Sequence, residues 1–282
     1  MKPEKAVIAI DLGGTKLALG KVVGSKVSEY SSQAIPRNSD KQTLINLIID
    51  GIRKLIEPGI VGIGIGVPSV VNTKTGIVYD VQNIPSWDEV PIKDILEKEF
   101  KVEVAVNNDA NCFALGEWLH GSAKSYNHVA GVVVGTGIGL GLVIDGKLIE
   151  GSNCGAGEIG MIPYQEHNYE YYCSGQYFIN EFKMRGEEAY DLALKGNHQA
   201  LMIFDYFGKH FGNALLTIIY AYDPEVIVIG GSVAKSRDFY EAKAMEAVNS
   251  IVYGITKSKV KIQFSEMEHV ALLGASGLIS QQ

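Results

Sequence analysis

Asp109 is the residue whose type and position most clearly suggest chemistry. It follows an apolar strand pattern at residues 102–107, and Asn108 directly precedes it. A carboxylate at the end of a strand can accept a proton from a hydroxyl group, and a neighbouring amide can both donate to and accept from hydroxyls. Asp and Asn are also common helix N-caps, and the pattern from Ala110 to Trp118 predicts a helix. The pair therefore has two interpretations, a proton-accepting site or a helix cap.

Two glycine-rich turns could bind an anion. Each lies between two apolar strand patterns: Gly13, Gly14 and Thr15, followed by Lys16, form the first, and Gly135, Thr136 and Gly137 form the second. Glycine lets backbone N–H groups converge on a phosphate. Either turn alone is ambiguous, because glycine turns join strands in many proteins. Together, the two turns predict a clamp on the phosphates of a nucleotide.

Asp11, just before the first turn, is a candidate ligand for Mg²⁺ through water, as this hard cation prefers. Alternatively, it is a loop carboxylate that accepts hydrogen bonds from nearby N–H groups. Neither turn matches the P-loop string G-x-x-x-x-G-K-[ST]. Residues 135–139 resemble a dinucleotide-binding fingerprint, but a strand pattern follows instead of a helix, so no helix N-terminus is available for a pyrophosphate. We therefore do not expect a dehydrogenase.

The elements that must position these residues form a repeated pattern. Residues 5–11 predict a buried strand, after which the glycine turn and further strand patterns follow. The same order returns from residue 128, with Asp145-Gly146 as a hairpin turn. A repeat at this separation indicates a duplicated domain rather than a solenoid. A chain of 282 residues could form one large domain or two, and we predict two α/β domains.

The other periodic segments alternate between the two types of secondary structure. Further helices are predicted at 40–57, 198–221, 237–252 and 270–280, and further strands at 62–67, 225–229 and 259–264.

Composition restricts the classes of partner. The net charge is −7 and no Lys/Arg cluster occurs, which argues against nucleic acid as the main partner. The first apolar run, residues 6–10, is too short for a secretion signal or a membrane span. Three widely spaced cysteines favour reduced thiols over a disulfide framework. We therefore expect a cytoplasmic protein that does not bind membranes.

Five segments occur together in a specific order: Asp11 to Lys16 (DLGGTK), Asn108 to Glu117 (NDANCFALGE), Gly135 to Gly139 (GTGIG), Gly155 to Gly160 (GAGEIG) and Asp223 to Gly231 (DPEVIVIGG). In this order the sequence resembles the ROK sugar kinases, of glucokinase, N-acetylhexosamine kinase and fructokinase type, from about residue 6 to 279. The resemblance implies two ribonuclease-H-like domains, as in actin-like ATPases, with an interdomain cleft. The N-terminal α/β domain would span 1–112, completed by a C-terminal helix at about 270–282, and the C-terminal α/β domain would span 113–269.

The resemblance also implies roles for single residues. Asp109 would be the catalytic base, Gly230 and Gly231 would lie against the adenosine of ATP, and the two glycine turns would hold its phosphates with Mg²⁺ at Asp11. Sugar-binding roles are implied for four residues: Asn108, Glu158, Asn83 and, by counting from Gly175, Glu181. The family further favours a homodimer.

The segment after Gly160 departs from the family pattern. Most members have there a histidine and a C-x-C-G-x-x-G-C cluster that bind a structural zinc. A gap-free alignment puts four other residues at the ligand positions: Met161, Tyr172, Ser174 and Ile179. We therefore predict no structural zinc, and we expect aromatic side chains to hold the loop by packing: Tyr169, Tyr171, Tyr172, Tyr177 and Phe178. Because the family's histidine also lies near the sugar, substrate preference does not transfer.

The sequence thus predicts ATP-dependent phosphorylation of the primary hydroxyl of a hexose or N-acetylhexosamine. The alternative is a non-catalytic, sugar-sensing regulator of the same family. Its repressors carry a winged helix-turn-helix before the first turn, and only ten residues precede Asp11 here, so we expect no DNA-binding module. An actin-like ATPase and an acetate-kinase-like enzyme share the fold. The first would lack the Gly157-Glu158 sugar signature, and the second would place basic residues around its acceptor.

Overall fold

The computed structural model describes residues 5–36, 39–81, 84 and 86–280. The elements of the first half are, in chain order, β1 (Ala6–Leu12), β2 (Lys16–Val23), β3 (Lys26–Ala34), α1 (Lys41–Arg53), β4 (Ile60–Val67), β5 (Val70–Asn72), β6 (Ile77–Tyr79), β7 (Glu89–Pro91), α2 (Ile92–Phe100), β8 (Glu103–Asn108) and α3 (Asp109–His120). The elements of the second half are β9 (Val129–Val134), β10 (Ile138–Ile144), β11 (Lys147–Leu148), β12 (Pro163–Tyr164), β13 (His167–Asn168), α4 (Tyr169–Cys173), α5 (Gly175–Phe182), α6 (Gly186–Leu194), α7 (His198–Tyr222), β14 (Val226–Gly230), α8 (Arg237–Val248), α9 (Gly254–Lys259), β15 (Lys261–Phe264) and α10 (Val270–Ser280).

Two main sheets share one topology. The first has the strand order β3-β2-β1-β4-β8 and the second has the order β11-β10-β9-β14-β15. In each, the opening strand pairs antiparallel with the strand after the glycine turn and parallel with the next strand of the sheet. The predicted α/β class and the predicted repeat are both confirmed. The smaller sheet β5-β6-β7 and the pair β12-β13 lie outside the repeat.

The central strands are nearly all apolar because helices cover both faces of a parallel region. In β14 every residue is buried, and β4 buries all of its residues except Val61. Burial of these strands forms the centre of each core. The long helix α7 contributes Phe204, Phe207 and Phe211 to the second core, and removal of such rings from water is a main stabilising contribution.

Helix α3 packs against both main sheets. An added Cβ at Gly66 of β4 would lie 3.1 Å from Cys112 Sγ, and one at Gly139 of β10 would lie 2.9 Å from Ala110 Cβ. Glycine at these two positions lets the strands approach the helix closely. Helix α10 also packs on α3, and on β1, β4 and β8. The N-terminus of α3, where Asp109 lies, is therefore held between the two sheets.

In the part of the chain that is described, none of the helices combines the length and the apolar character needed to cross a membrane. The domain boundaries at 112/113 and 269/270 stay predictions.

Candidate active site

The carboxyl ends of β1, β4 and β8 meet at one edge of the first sheet. Asp11 of β1 is paired with Gly66 of β4, and Gly66 is paired with Asn107 of β8. The next residues of β8 and α3 are Asn108 and Asp109. Clefts at the carboxyl ends of parallel strands are where open α/β sheets bind ligands. The strand register thus places Asp11, near the start of the chain, close to Asn108 and Asp109, which lie about 100 residues later.

Asn108 is the N-cap of α3. Its Oδ1 accepts from the backbone N–H of Ala110 at 2.9 Å and of Asn111 at 3.3 Å, and its Nδ2 donates to the carbonyl oxygen of Ser69 at 3.3 Å. The helix-cap interpretation is therefore confirmed. Since the two lone pairs of the oxygen are used, what this side chain can still offer a ligand is the second N–H of its amide. Its role in sugar binding stays a prediction.

Asp109 carries an unusually basic carboxylate. Burial first, and then the negative charges of Asp11 and Glu158, raise its pKa from the ordinary value of 3.8 to about 7, although the N–H of Ala110 opposes this rise. That N–H donates to Asp109 Oδ1 at 2.8 Å. A carboxylate with this pKa can accept a proton near neutral pH, as a general base must.

Asp11 lies close enough to affect Asp109. Burial raises the pKa of Asp11 to about 6, and the ammonium of Lys16 opposes that rise. Lys16 Nζ donates to the hydroxyl of Tyr30 at 3.2 Å, so Lys16 follows the surface of β2 and β3. The site thus concentrates negative charge beside one lysine, a composition suited to a cation-bound ligand.

Glu158 extends this acidic cluster from the second half of the chain. Burial and the charge of Glu170 raise its pKa. Gly157, with φ +93°, sets the direction of the chain directly before it, in the left-handed region that favours glycine. The carboxylates are therefore coupled in sequence: Asp109 responds to the charges of Asp11 and Glu158, and Glu158 responds to that of Glu170.

Glu170 was missed by the sequence analysis. Its Oε2 accepts from the N–H of Ile138 at 3.4 Å, next to the second glycine turn. The gap-free count had pointed to Glu181, which is exposed on α5 and accepts from the hydroxyl of Tyr171 at 2.8 Å. The negative charge that raises the pKa of Glu158 is that of Glu170. No local pattern in the sequence marks Glu170, because its contact with Ile138 depends on how the chain folds back. The roles of Glu170 and Glu181 stay predictions.

Both glycine turns close with a backbone hydrogen bond. The N–H of Gly13 donates to Lys16 O at 2.8 Å, and the N–H of Gly135 donates to Gly137 O at 2.9 Å. Among the described residues, no acceptor is found for four other N–H groups of the turns: those of Gly14, Thr15, Thr136 and Gly137. These groups fit the predicted phosphate clamp, because backbone N–H groups in such turns bind anions.

Gly230 is the last residue of β14, near the second turn, and Gly231 follows it. Gly230 pairs with Val133, two residues before Gly135. Gly231 has φ +95°, in the left-handed region that favours glycine. A Cβ on Gly135 would lie 3.5 Å from Ser232 Oγ. A Cβ on Gly230 would collide with the ring of Phe113, and one on Gly231 with the carbonyl oxygen of Val134, so both glycines permit close packing within the protein. Their contact with the adenosine of ATP stays a prediction.

The donor set suits magnesium better than zinc. The Asp11 carboxylate lies beside the first turn, and an oxygen ligand that leaves room for water is what Mg²⁺ prefers. Among the described residues there is no group of three His, Cys, Asp or Glu arranged to hold a metal ion. Cys154 packs in the first core and Cys173 in the second, while His167 stacks on Tyr171 with 3.9 Å between ring centroids. The absence of a structural zinc stays a prediction.

Aromatic packing orders the segment after Gly160, as predicted. Tyr169, Tyr177 and Phe178 are buried. The ring of Tyr169 stacks on Tyr164 at 4.5 Å, and Phe178 stacks on Phe207 at 5.4 Å. Asn83, the remaining sugar-binding candidate, lies outside the described residues.

Comparison with known proteins identifies the family. The ROK family model matches residues 7–282. An N-acetyl-D-glucosamine kinase of Haemophilus influenzae is 32% identical, over 83% of this chain and 86% of that protein. A xylose repressor of Caldicellulosiruptor bescii is 25% identical, over 97% of this chain and 78% of that protein. The crystal structure of a ROK family glucokinase from Streptomyces griseus, in complex with glucose and AMPPNP, superposes with a TM-score of 0.85 at 23% identity, over 98% of this chain and 100% of that one. The predicted fold class is confirmed, and the chain belongs to the ROK family.

Proposed function

We propose that the protein is an ATP-dependent sugar kinase that phosphorylates the primary hydroxyl of a hexose or N-acetylhexosamine. The observation that carries this proposal is the carboxylate of Asp109, with a pKa of about 7, at the end of β8. Asp109 lies beside Asp11, which precedes the first glycine turn. Helix α3, which begins at Asp109, packs on β10, the strand that follows the second glycine turn. A general base between a sugar subsite and a phosphate clamp is what this reaction requires.

Asp109 would act on the sugar hydroxyl. The hydroxyl oxygen forms a bond to the γ-phosphorus of ATP, the bond from that phosphorus to the β–γ bridging oxygen breaks, and ADP leaves. The hydroxyl proton goes to the Asp109 carboxylate. The N–H of Ala110, which donates to Asp109 at 2.8 Å, orients that carboxylate. The reaction depends mostly on positioning and charge neutralisation.

The remaining candidate residues would bind and orient the substrates. Glu158 and Glu170 can accept hydrogen bonds from sugar hydroxyls, and Asn108 can donate its second amide N–H. The N–H groups of the two glycine turns would bind the phosphates. Asp11 would hold Mg²⁺ through water, which supplies neutralisation of phosphate charge. Closure of the two halves of the molecule would exclude water as a competing acceptor.

A sugar-sensing regulator is the second candidate, because the similarity to the xylose repressor extends over 97% of this chain. Such a protein would bind sugar without turnover. The raised pKa of Asp109 favours the kinase, since a general base must accept a proton near neutral pH and a sugar sensor needs no base.

A coupled assay for ADP release separates the two candidates. The protein is mixed with ATP, Mg²⁺ and, in turn, glucose, N-acetylglucosamine, N-acetylmannosamine, mannose, fructose and allose. We expect sugar-dependent ADP release with at least one of them, and its loss in Asp109→Asn. Sugar-independent turnover would indicate an ATPase instead, and sugar binding without ADP release would indicate the regulator.

A further inference from the structure

Asn107 is a buried residue whose hydrogen bonds link several segments next to the proposed catalytic residues. Only 1% of it is exposed. Its Oδ1 accepts from the backbone N–H of Asn108 at 2.8 Å, from Asn111 Nδ2 at 2.9 Å and from Cys154 Sγ at 3.3 Å. One amide oxygen thus contacts the end of β8, the first turn of α3 and a segment from the second half of the chain.

Both carboxylate oxygens of Glu150 accept hydrogen bonds from residues in the first half of the chain. Its Oε1 accepts from Asn107 Nδ2 at 2.6 Å, and its Oε2 accepts from Thr73 Oγ1 at 3.1 Å. A short bond between an amide and a carboxylate is among the stronger kinds of hydrogen bond. It also polarises the Asn107 amide, which makes its oxygen a better acceptor for the three donors on the other side.

The segment from Glu150 to Glu158 is attached to the first half at further points. The N–H of Val71 donates to Asn153 O at 3.3 Å. Cys154 is buried and has φ +57°, a left-handed conformation that is uncommon for a residue with a side chain. Such a conformation persists where surrounding contacts impose it, and the thiol contact with Asn107 is one of them.

We infer that Glu150 is a positioning residue that sets the distance between the two sides of the sugar subsite. One side, Asn108 and Asp109, is held by Asn107, while the other side, Glu158, is carried by the segment that starts at Glu150. Glu150 joins the two through its bond to Asn107. This inference rests on the proposed sugar kinase activity.

Loss of the Glu150 carboxylate removes the partner of a buried amide and loosens both sides of the subsite. Within the described residues, the two glycine turns share no hydrogen bond with this network. Sugar turnover is therefore affected more than ATP binding. A displacement of about 1 Å at a reacting centre can cost ~10²-fold in rate.

The kinetic experiment compares three variants of the full chain. Glu150→Ala is expected to lower kcat/KM for the sugar by ~10–100-fold, with the KM for ATP within about twofold of wild type. Glu150→Gln keeps an oxygen acceptor for Asn107 but loses the charge, so it should fall between wild type and Glu150→Ala. Glu241→Ala, an exposed glutamate on α8, is the matched control and should leave both constants unchanged. Equal losses for sugar and ATP, or a Gln variant no better than the Ala variant, would overturn the inference.

Alkylation of Cys154 gives a readout that does not need activity. In Glu150→Ala, this thiol should react faster with iodoacetamide, as followed by peptide mass spectrometry, while Cys112 and Cys173, also buried, serve as internal references. Faster labelling of Cys154 alone supports local release of the segment. Faster labelling of all three would show general unfolding and count against a positioning role, and Glu150→Gln then provides the decisive comparison. If the wild-type protein phosphorylates no sugar, the proposed function fails. If the wild type does phosphorylate a sugar but Cys154 labelling is unchanged in Glu150→Ala, only this inference fails.

Discussion

Replacing Asp109 by Asn should lower activity and raise stability in the same variant. The amide is nearly isosteric and can still accept from the N–H of Ala110, at 2.8 Å in the wild type. It cannot take a proton from the sugar hydroxyl, and loss of a general base typically costs ~10²–10⁴-fold in rate. The stability gain arises because the wild type keeps an ionised carboxylate in a buried, negatively charged place.

The size of that gain follows from the pKa of Asp109. A rise from 3.8 to about 7 corresponds to roughly 4 kcal/mol of destabilisation by the ionised form. Because Asp109 is only partly removed from solvent, and because Asn makes a weaker bond to Ala110, we reduce this to about 1–3 kcal/mol. The destabilisation is fully present above the folded-state pKa of about 7 and disappears as the pH falls towards 3.8. The stability advantage of the Asp109→Asn variant should therefore be largest near pH 8 and fall by more than half at pH 4.5.

Urea unfolding of both proteins at the two pH values measures this difference, and the coupled assay measures kcat. Asp191→Asn, an exposed site on α6, is the control and should change the free energy of unfolding by less than about 0.5 kcal/mol. An Asp109→Asn variant that is less stable than wild type at pH 8, or equally stabilised at both pH values, would refute the burial argument. Retention of more than about a tenth of wild-type kcat would refute the assignment of the base.

Four further outcomes are expected. kcat/KM for the sugar should rise with pH up to about 7, as Asp109 loses its proton; a profile flat from pH 5 to 8 would contradict this. Gly135→Val should raise the KM for ATP far more than that for sugar, since a side chain there would block approach of phosphate to the backbone; equal effects in a folded variant would argue against a clamp. Phe178→Ala should lower the free energy of unfolding by ~3–5 kcal/mol, because the ring is only 1% exposed; denaturant titration tests this, and a loss below about 1 kcal/mol would contradict it. Elemental analysis of protein dialysed against metal-free buffer should find no stoichiometric zinc; about one tightly held zinc per chain would show that the ligand count is wrong.

Periodicity was sufficient to predict most of the large elements. The predicted helix at 198–221 corresponds to α7 (His198–Tyr222), and the strand at 225–229 corresponds to β14 (Val226–Gly230). These segments have long apolar patterns of one period, which the tertiary structure does not override. The small sheet β5-β6-β7 and the helices from α4 to α6 were not predicted, because short elements carry too few residues for a period and form through tertiary contacts.

The sequence by itself determined the repeated order of strands and glycine turns, and with it the α/β class, because strand, turn and hairpin signals are local. It also singled out Asp11, Asn108 and Asp109 at strand ends. Only the tertiary structure decided that Asp11 and Asp109, far apart in the chain, become neighbours through the shared register with Gly66. The raised pKa of Asp109 arises in the same way, since burial and nearby charges depend on segments distant in the chain. Glu170 and the Glu150–Asn107 bond likewise carry no local signal, because each depends on where a loop folds back rather than on the spacing of its own residues.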